Sequence, residues 1–254
     1  MAPDATRGTM PLINEKFKLL AVLEDAFDRY VRERYNFACA EKCAACCTDA
    51  VTATTLEAAR LERALEAAGR EDLCRRLVQS AKGELFRPRI TTNTMAYACL
   101  SRRDPPEETP PAAAGPCPLL EDGLCPVYEA RPFSCRGMFA RKKCVPGAEA
   151  EMPAELVTLV TLCWQIIEHL DAGGLYGNLA DLARTLSEAN QAFNYQTGGQ
   201  LAARGLPPTR PVPGFLVPPE QETAVQAFLS PLFATDCGGR TFRQRLAEVR
   251  PSPF

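Results

Sequence analysis

Histidine is nearly absent from this sequence, and so is any strong imbalance of charge. The chain has one histidine, His169, which excludes zinc sites built on two histidines and histidine-rich iron sites. Its 29 basic and 31 acidic residues give a net charge of -2, so no global field attracts it to nucleic acid or to an anionic membrane. No run of about 18 apolar residues occurs, and we expect no membrane-spanning helix.

We also expect no secretory leader in the first 36 residues. Such a leader needs an uninterrupted apolar stretch, and Asn14, Glu15, Lys16 and Lys18 fall where that stretch would lie. We therefore expect a cytoplasmic protein. Because cytoplasmic buffers keep thiols reduced, the twelve cysteines favour metal binding or catalysis over disulfides.

Cysteine, by contrast, is abundant, and eight of the cysteines fall into two groups. Thiolates that follow one another closely can converge on one ion, and a distant second group completes the coordination. All-thiolate coordination suits zinc or an iron–sulfur cluster such as [4Fe–4S]. We expect adjacent Cys46 and Cys47 to point in different directions, so that they serve two centres or one stays free. The candidate metal ligands are Cys39, Cys43, Cys46 and Cys47 in the first group and Cys117, Cys125, Cys135 and Cys144 in the second.

The single histidine and the eight clustered cysteines favour coordination over nucleophilic catalysis. A cysteine nucleophile usually has a histidine base, and here only His169 could serve. Its position near the end of a predicted helix is more typical of a surface residue that offsets the helix dipole. Cys74 and Cys163 lie on apolar helix faces, where a free cysteine behaves as a small hydrophobic residue.

Basic residues accompany the second cysteine group. Positive charge beside several thiolates offsets their repulsion and lowers their pKa values, which favours metal binding at neutral pH. Arg131 and Arg136 lie inside this group, and we expect both to support the bound cofactor. The basic residues 141–143 are weaker candidates for the same role.

The helical patterns predict a mainly α protein in which cysteine-rich irregular loops join the helices and form a metal centre. Amphipathic spacing predicts helices over 14–34, with Asn14 as a candidate N-cap, and over 153–174. Thr54 and Glu57 predict a capping box, Asn178 caps a further helix, and 87–100 permits a short strand. The proline-rich stretches 104–116 and 206–220 predict loops. We divide the chain into an N-terminal helix (1–36), a cysteine-cluster domain (37–176) and a helical C-terminal region (177–254).

The two cysteine groups carry a resemblance to a known family. CAEKCAACC, followed by CPLLEDGLCPVYEARPFSCR, resembles the YkgJ-type cysteine-cluster family, the CxxCxxCC zinc- or iron-chelating domain. The second segment follows the family pattern closely, whereas the first has three residues between Cys39 and Cys43 instead of two. The resemblance covers about residues 37–145 and implies a centre of zinc, iron or iron–sulfur held by cysteines.

A more distant similarity suggests a reaction. Flagellin lysine N-methylases have a similar cysteine-rich region and methylate lysines with S-adenosylmethionine. This similarity implies methyl transfer to a protein substrate as a candidate use of the centre. Independently, the chain has more thiols than one ion needs, which favours redox or group-transfer chemistry.

Two other functions stay open. A closed zinc site could be purely structural and present helices to a protein partner. The C-x3-C-x2-C spacing of Cys39, Cys43 and Cys46 also occurs in radical S-adenosylmethionine enzymes, but there it normally follows a strand, and an aromatic residue stands where this chain has Ala45. The preceding predicted helix makes this the weaker alternative.

Overall fold

The computed structural model describes residues 12–108, 114–144 and 150–249. These residues form ten α-helices and two short strands, with 3-10 turns at Tyr128–Ala130 and Pro219–Gln221. The helices are α1 (Leu12–Arg34), α2 (Thr55–Ala67), α3 (Glu71–Ser80), α4 (Thr92–Leu100), α5 (Phe133–Arg136), α6 (Ala154–Leu170), α7 (Leu179–Leu186), α8 (Ala189–Thr197), α9 (Glu222–Ala234) and α10 (Phe242–Glu248). The strands are β1 (Thr52–Thr54) and β2 (Tyr176–Asn178).

Helix α1 forms because its apolar residues recur at three- and four-residue intervals and thus share one face. Leu20, Leu23 and Phe27 on that face are fully buried. They pack with residues of α6, α9 and α10 into the larger of two hydrophobic clusters. Segments from the beginning, middle and end of the chain therefore share one core.

A second hydrophobic cluster lies around α2, α3 and α7. Its buried residues include Leu65, Leu77 and Leu182, and Cys117 and Cys125 of the second cysteine group pack against it. Because each cysteine group joins regular elements that are themselves packed, the loops are held at their ends.

Helix α2 begins with the capping box that the sequence predicts. The Thr54 side chain accepts from the Glu57 N–H, and the Glu57 carboxylate accepts from the Thr54 N–H. The helix ends before Gly69, which has a φ of +66°, a conformation that glycine adopts without strain.

The two strands pair antiparallel, with Thr52 opposite Asn178 and Thr54 opposite Tyr176. The sequence reasoning did not predict this small sheet. Three-residue strands carry too little alternation to detect, and here pairing over a long sequence separation decides the conformation.

Three local predictions are wrong. The stretch 87–100 contains helix α4 instead of a strand, because the Thr91 side chain caps the helix by accepting from the Thr94 N–H. Asn178 does cap a helix, but the segment after it breaks into α7 and α8 around Ser187 and Glu188. Asn14 does not cap α1, which begins at Leu12; its side chain accepts from Arg63 instead.

The mainly helical fold class is confirmed. Within the described residues, no helix combines the length and the apolar composition that a membrane span requires. The proline-rich stretch 206–220 is largely irregular, as predicted, and α9 and α10 follow it. The predicted loop 104–116 is irregular at both ends, and its residues 109–113 lie outside the described residues.

Candidate metal centre

The first cysteine loop begins after α1 ends at Arg34 and soon contacts the chain segment around Ala140. Ala38 donates its N–H to the Ala140 carbonyl at 2.9 Å, and the Phe37 ring stacks on Phe139 with 4.4 Å between the centroids. Tight turns follow, in which Cys43 donates to Ala40 and Cys47 donates to Ala44, each at 3.0 Å. The first loop is thus pinned to the segment that leads to Cys144.

Backbone pairing joins the first cysteine loop to the second. Cys117 donates its N–H to the Cys47 carbonyl at 3.0 Å, and Thr48 forms an isolated antiparallel bridge with Pro116. Next to this bridge, Asp49 donates its N–H to the Gly115 carbonyl at 3.0 Å, and its side-chain Oδ1 accepts from the Gly115 N–H at 2.9 Å. Two cysteine groups that are far apart in sequence thereby meet.

A side chain at Gly115 would displace the carboxylate of Asp49 from this bridge. A Cβ atom at that position would lie 2.6 Å from Oδ2 of Asp49, closer than the two atoms can approach without displacement. The sequence reasoning missed both residues. In the sequence they are marked only by their positions: Asp49 comes shortly after the first cysteine group, and Gly115 comes shortly before the second.

Cys135 lies on the short helix α5, which hydrogen bonds fasten to β1 and α2. The Ser134 hydroxyl donates to the Thr52 carbonyl at 2.6 Å. The Phe133 N–H donates to Oε1 of Glu57 at 2.7 Å. Glu57 therefore caps α2 with one carboxylate oxygen and holds the start of α5 with the other.

The thiols of Cys47, Cys117, Cys125 and Cys135 form a half-buried group, which we call the inner thiols. Burial, followed by the neighbouring thiolates of Cys117, Cys125 and Cys46, raises the pKa of Cys135 to about 12. Burial also raises the pKa of Cys117, where Cys125 adds to the shift. These mutual effects show that the inner thiols lie within electrostatic range of one another.

Cys39, Cys43, Cys46 and Cys144 form a second group, the outer thiols, in which the first three are exposed and Cys144 is half-buried. Burial raises the pKa of Cys39 first, and Cys43, Cys46 and Cys144 raise it further. Cys43, Cys46 and Cys144 therefore lie within electrostatic range of Cys39.

The two groups meet at Cys46 and Cys47. These neighbouring side chains contact each other, contrary to the expectation that they diverge. A hydrogen bond from the Cys47 thiol lowers the pKa of Cys46 to about 6 and raises that of Cys47. In this contact the Cys47 thiol is the donor and the Cys46 sulfur is the acceptor.

Backbone N–H groups are aimed at several sulfur atoms. Burial raises the pKa of Cys117, and hydrogen bonds from the backbone of Leu119 and Leu120 partly offset that rise. The Val127 backbone does the same for Cys125, as does the Ala140 backbone for Cys39. Such bonds stabilise the thiolate over the thiol, but burial outweighs them, and the pKa of each of these three thiols remains raised.

The two arginines of the second group have different surroundings. Arg131 is buried, lies over the Tyr128 ring at 3.6 Å and donates to the Tyr128 carbonyl. Among the described residues, no carboxylate comes within salt-bridge distance of it, while its charge lowers the pKa of Cys125 against the effect of burial. Its charge is therefore available to the inner thiols.

Arg136 is also buried, but its charge is engaged elsewhere. Its guanidinium pairs with Asp28 at 2.6 Å and with Glu24 at 3.5 Å. Glu24 in turn accepts two hydrogen bonds from Arg60. Arg136 thus ties α5 to α1 and supports Cys135 through the backbone.

The remaining candidates lie apart from the two groups. Cys163 is fully buried in the larger core and Cys74 is half-buried on α3, as the apolar faces predict. His169 is partly buried instead of lying on the surface: its Nδ1 accepts from the Val212 N–H, and its Nε2 lies 3.0 Å from the Leu246 carbonyl. Both ring nitrogens are occupied, which leaves neither available as a base or a ligand.

All twelve cysteines are free thiols in the described part of the chain. The sulfur atoms of each group are near one another, but nowhere in residues 12–108, 114–144 and 150–249 do three metal-ligating side chains converge closely enough to hold an ion. The soft thiolate donors suit zinc or iron in their chemistry.

Comparison with protein-family models, with curated proteins and with solved structures gives no match to this chain.

Proposed function

We propose that this protein is a metalloprotein in which thiolates from both cysteine loops bind zinc or an iron–sulfur cluster. The observation that carries the proposal is the backbone bond from Cys117 to Cys47, because it brings two groups of four thiols together. Hydrophobic packing does not explain such a gathering, since most of these thiols are exposed or only half-buried. We also propose that the chain is related to the YkgJ-type cysteine-cluster family, which its two cysteine groups resemble.

A bound cation would relieve the electrostatic cost of bringing these thiols together. Burial and then mutual repulsion raise the pKa of Cys135 to about 12, so the clustered thiols resist ionisation in the absence of a cation. Metal binding displaces the protons and offsets the repulsion. Arg131 and the N–H groups directed at sulfur assist that step.

We propose a redox or group-transfer role for the centre, with S-adenosylmethionine as the methyl donor if the reaction is methyl transfer and a protein as the substrate. The small pocket beside Cys117, lined also by Thr48 and Asn178, has a volume of about 10 Å³. That is room for one water molecule and far too little for a nucleoside. S-adenosylmethionine would therefore bind elsewhere than in this pocket.

A structural zinc module is the second candidate. All four inner thiols are half-buried, and Cys117 and Cys125 pack against the second hydrophobic cluster. This burial favours a structural module, because closed zinc sites of four cysteines stabilise a fold without chemistry. The radical S-adenosylmethionine alternative receives little support. Its barrel needs repeated strand–helix units, whereas the described residues contain two short antiparallel strands.

The test is anaerobic purification of the full chain, followed by metal analysis, acid-labile sulfide analysis and an absorption spectrum. Iron with sulfide and broad visible absorption supports a redox or group-transfer centre. Zinc without colour supports the structural module. A chain that carries neither zinc nor iron, and takes up neither when supplied with them under reducing conditions, contradicts the proposal.

A further inference from the structure

The proline-rich stretch 206–220 exposes several prolines that the proposed function does not use. We propose that its residues 207–213 are a docking site for a protein module that binds polyproline II helices in a groove lined by aromatic side chains. The inference does not rest on the proposed metal centre, because no cysteine lies in this stretch.

The composition of the stretch restricts its backbone to extended conformations. Residues 206–213 read LPPTRPVP, so four of the eight residues are prolines. Each proline fixes its own φ at about −65° and keeps the preceding residue out of the helical region. Both effects favour the polyproline II helix, which has three residues per turn and no internal hydrogen bonds. The structure accordingly has neither helix nor strand over 209–218.

Burial along the stretch follows the same period of three. The inward positions, which are buried or half-buried, are Leu206, Thr209, Val212 and Phe215. Leu206 packs against the second hydrophobic cluster and Phe215 against the larger one. The exposed residues are Pro208, Arg210, Pro211 and Pro213. Because Pro208 and Pro211 are one turn apart, they share an outward edge of the helix.

Hydrogen bonds fasten the stretch to the protein from its inward side. Thr209 donates its N–H to the Gly174 carbonyl at 3.0 Å, and Val212 donates its N–H to Nδ1 of His169 at 3.1 Å. The conformation that a partner would bind is therefore held by the fold. Binding to such a preorganised segment loses less conformational entropy than binding to a free peptide.

The outward side has free polar groups that a partner can use. Within the described part of the chain, the carbonyls of Pro208 and Pro211 accept no hydrogen bond, so both can accept from donors in a groove. The guanidinium of Arg210 forms no salt bridge with a described residue. Because complementary charge fixes the register and orientation of a complex, the groove that fits this edge carries a carboxylate beside its aromatic residues.

The test measures binding of the full chain to isolated SH3 and WW domains, which have aromatic-lined grooves for proline-rich segments, by isothermal titration calorimetry. We expect at least one domain to bind with a micromolar Kd. The double variant Pro208→Ala/Pro211→Ala should weaken that binding by about tenfold or more, and Arg210→Gln by about tenfold, as is typical of central interface residues.

Two matched controls lie outside the docking edge. Pro106→Ala changes an exposed proline of the other proline-rich stretch, and Arg204→Gln changes an exposed arginine that precedes this one. Both variants should bind like the wild type. If the double proline variant does not fold, Arg210→Gln still decides the matter, because it keeps the backbone N–H that donates to Glu168.

A synthetic peptide of residues 205–215 gives a second readout. It should compete with the full chain for the same groove but bind more weakly, because the free peptide has to lose conformational freedom on binding. A peptide that binds while the full chain does not would overturn the inference, since the packed stretch would then be inaccessible.

Two further outcomes overturn the inference. In the first, none of the domains binds the full chain. In the second, a domain binds, but neither the double proline variant nor Arg210→Gln weakens the complex. These outcomes leave the proposed function standing, because metal and sulfide analysis of the wild type decides that function independently.

Discussion

The N–H of Cys117 donates to the carbonyl of Cys47 at 3.0 Å, and this bond joins two cysteine groups that lie far apart in sequence. A single backbone hydrogen bond contributes only about 1 kcal/mol to stability, so further contacts are needed to hold the two loops together. The carboxylate of Asp49 supplies the next contact by accepting from Gly115. The geometry between the thiol groups is therefore set by residues that do not ligate a metal.

Replacing Asp49 tests this coupling. Asp49→Ala removes the carboxylate that accepts from the Gly115 N–H, so the second loop should shift relative to the first. We expect metal affinity to fall by about tenfold, as is typical for residues that orient ligands, and the affinity can be measured by chelator competition. Asp104→Ala, at an exposed aspartate, makes the same chemical change and should leave the affinity unaltered. Equal affinities in the two variants would contradict the expected role of Asp49.

Arg131 should matter through its charge. Arg131→Gln removes a cation that favours the thiolate form of Cys125, so we expect metal binding at pH 7 to weaken by about tenfold. The deficit should shrink as the pH rises, because the thiols of the variant then ionise without help. Binding isotherms at several pH values measure this trend. Lys143→Gln, at an exposed lysine in the same basic stretch, serves as the control. A deficit that does not change with pH would indicate a packing role instead.

Glu57 should be critical for stability. Its carboxylate accepts hydrogen bonds from Thr54 and Phe133 and is buried. In Glu57→Gln the amide nitrogen must face at least one of these donors, which leaves buried polar groups unsatisfied and costs about 2 kcal/mol or more of unfolding free energy. Denaturant unfolding measures the loss. Glu66→Gln, on the exposed side of α2, should change the unfolding free energy by less than about 0.5 kcal/mol.

Asp171 should make stability depend on pH. Its side chain is fully buried and accepts from the Tyr195 hydroxyl at 2.6 Å and the Leu56 N–H at 3.2 Å. Burial raises its pKa to about 7, so the folded protein holds a proton that the unfolded chain releases above about pH 4. Its contribution is complete below about pH 4 and is lost as the pH rises to 7, by about 1.4 kcal/mol per pH unit.

The variant Asp171→Asn isolates this effect. An amide can accept from Leu56 and donate to the Tyr195 oxygen, so both contacts survive in a form that does not titrate. We expect the difference in unfolding free energy between wild type and variant to change between pH 5 and 7 and to level off above pH 7. A difference that is constant over that interval would show that Asp171 ionises normally in the folded protein.

Much of the helical framework could be predicted from the sequence. The buried face of α1 and the capping box at Thr54 and Glu57 are local patterns, and their physical causes act over a few residues. Helix α4 was not predicted, because threonine is common in strands. In this protein Thr91 caps the helix instead. Local propensity did not distinguish these two uses of the same residue type.

The candidate site was predictable in its residue types but not in its arrangement. The eight cysteines are conspicuous in the sequence, yet their division into outer and inner thiols depends on contacts between distant segments. The bridge of Asp49 to Gly115 and the second role of Glu57 in holding Phe133 have no local signature. The contact between Cys46 and Cys47 could not be predicted either, because it depends on the conformation of the turn that carries them.

The attachment of α5 to Glu57 bears on the state of the chain before an ion binds and after it is lost. Because the carboxylate that caps α2 also holds the segment before Cys135, the packing of the helices sets the position of this segment. Under the proposed function, an ion would therefore bind to a segment that the fold already positions, and a chain that lost its ion would keep that position for the next one.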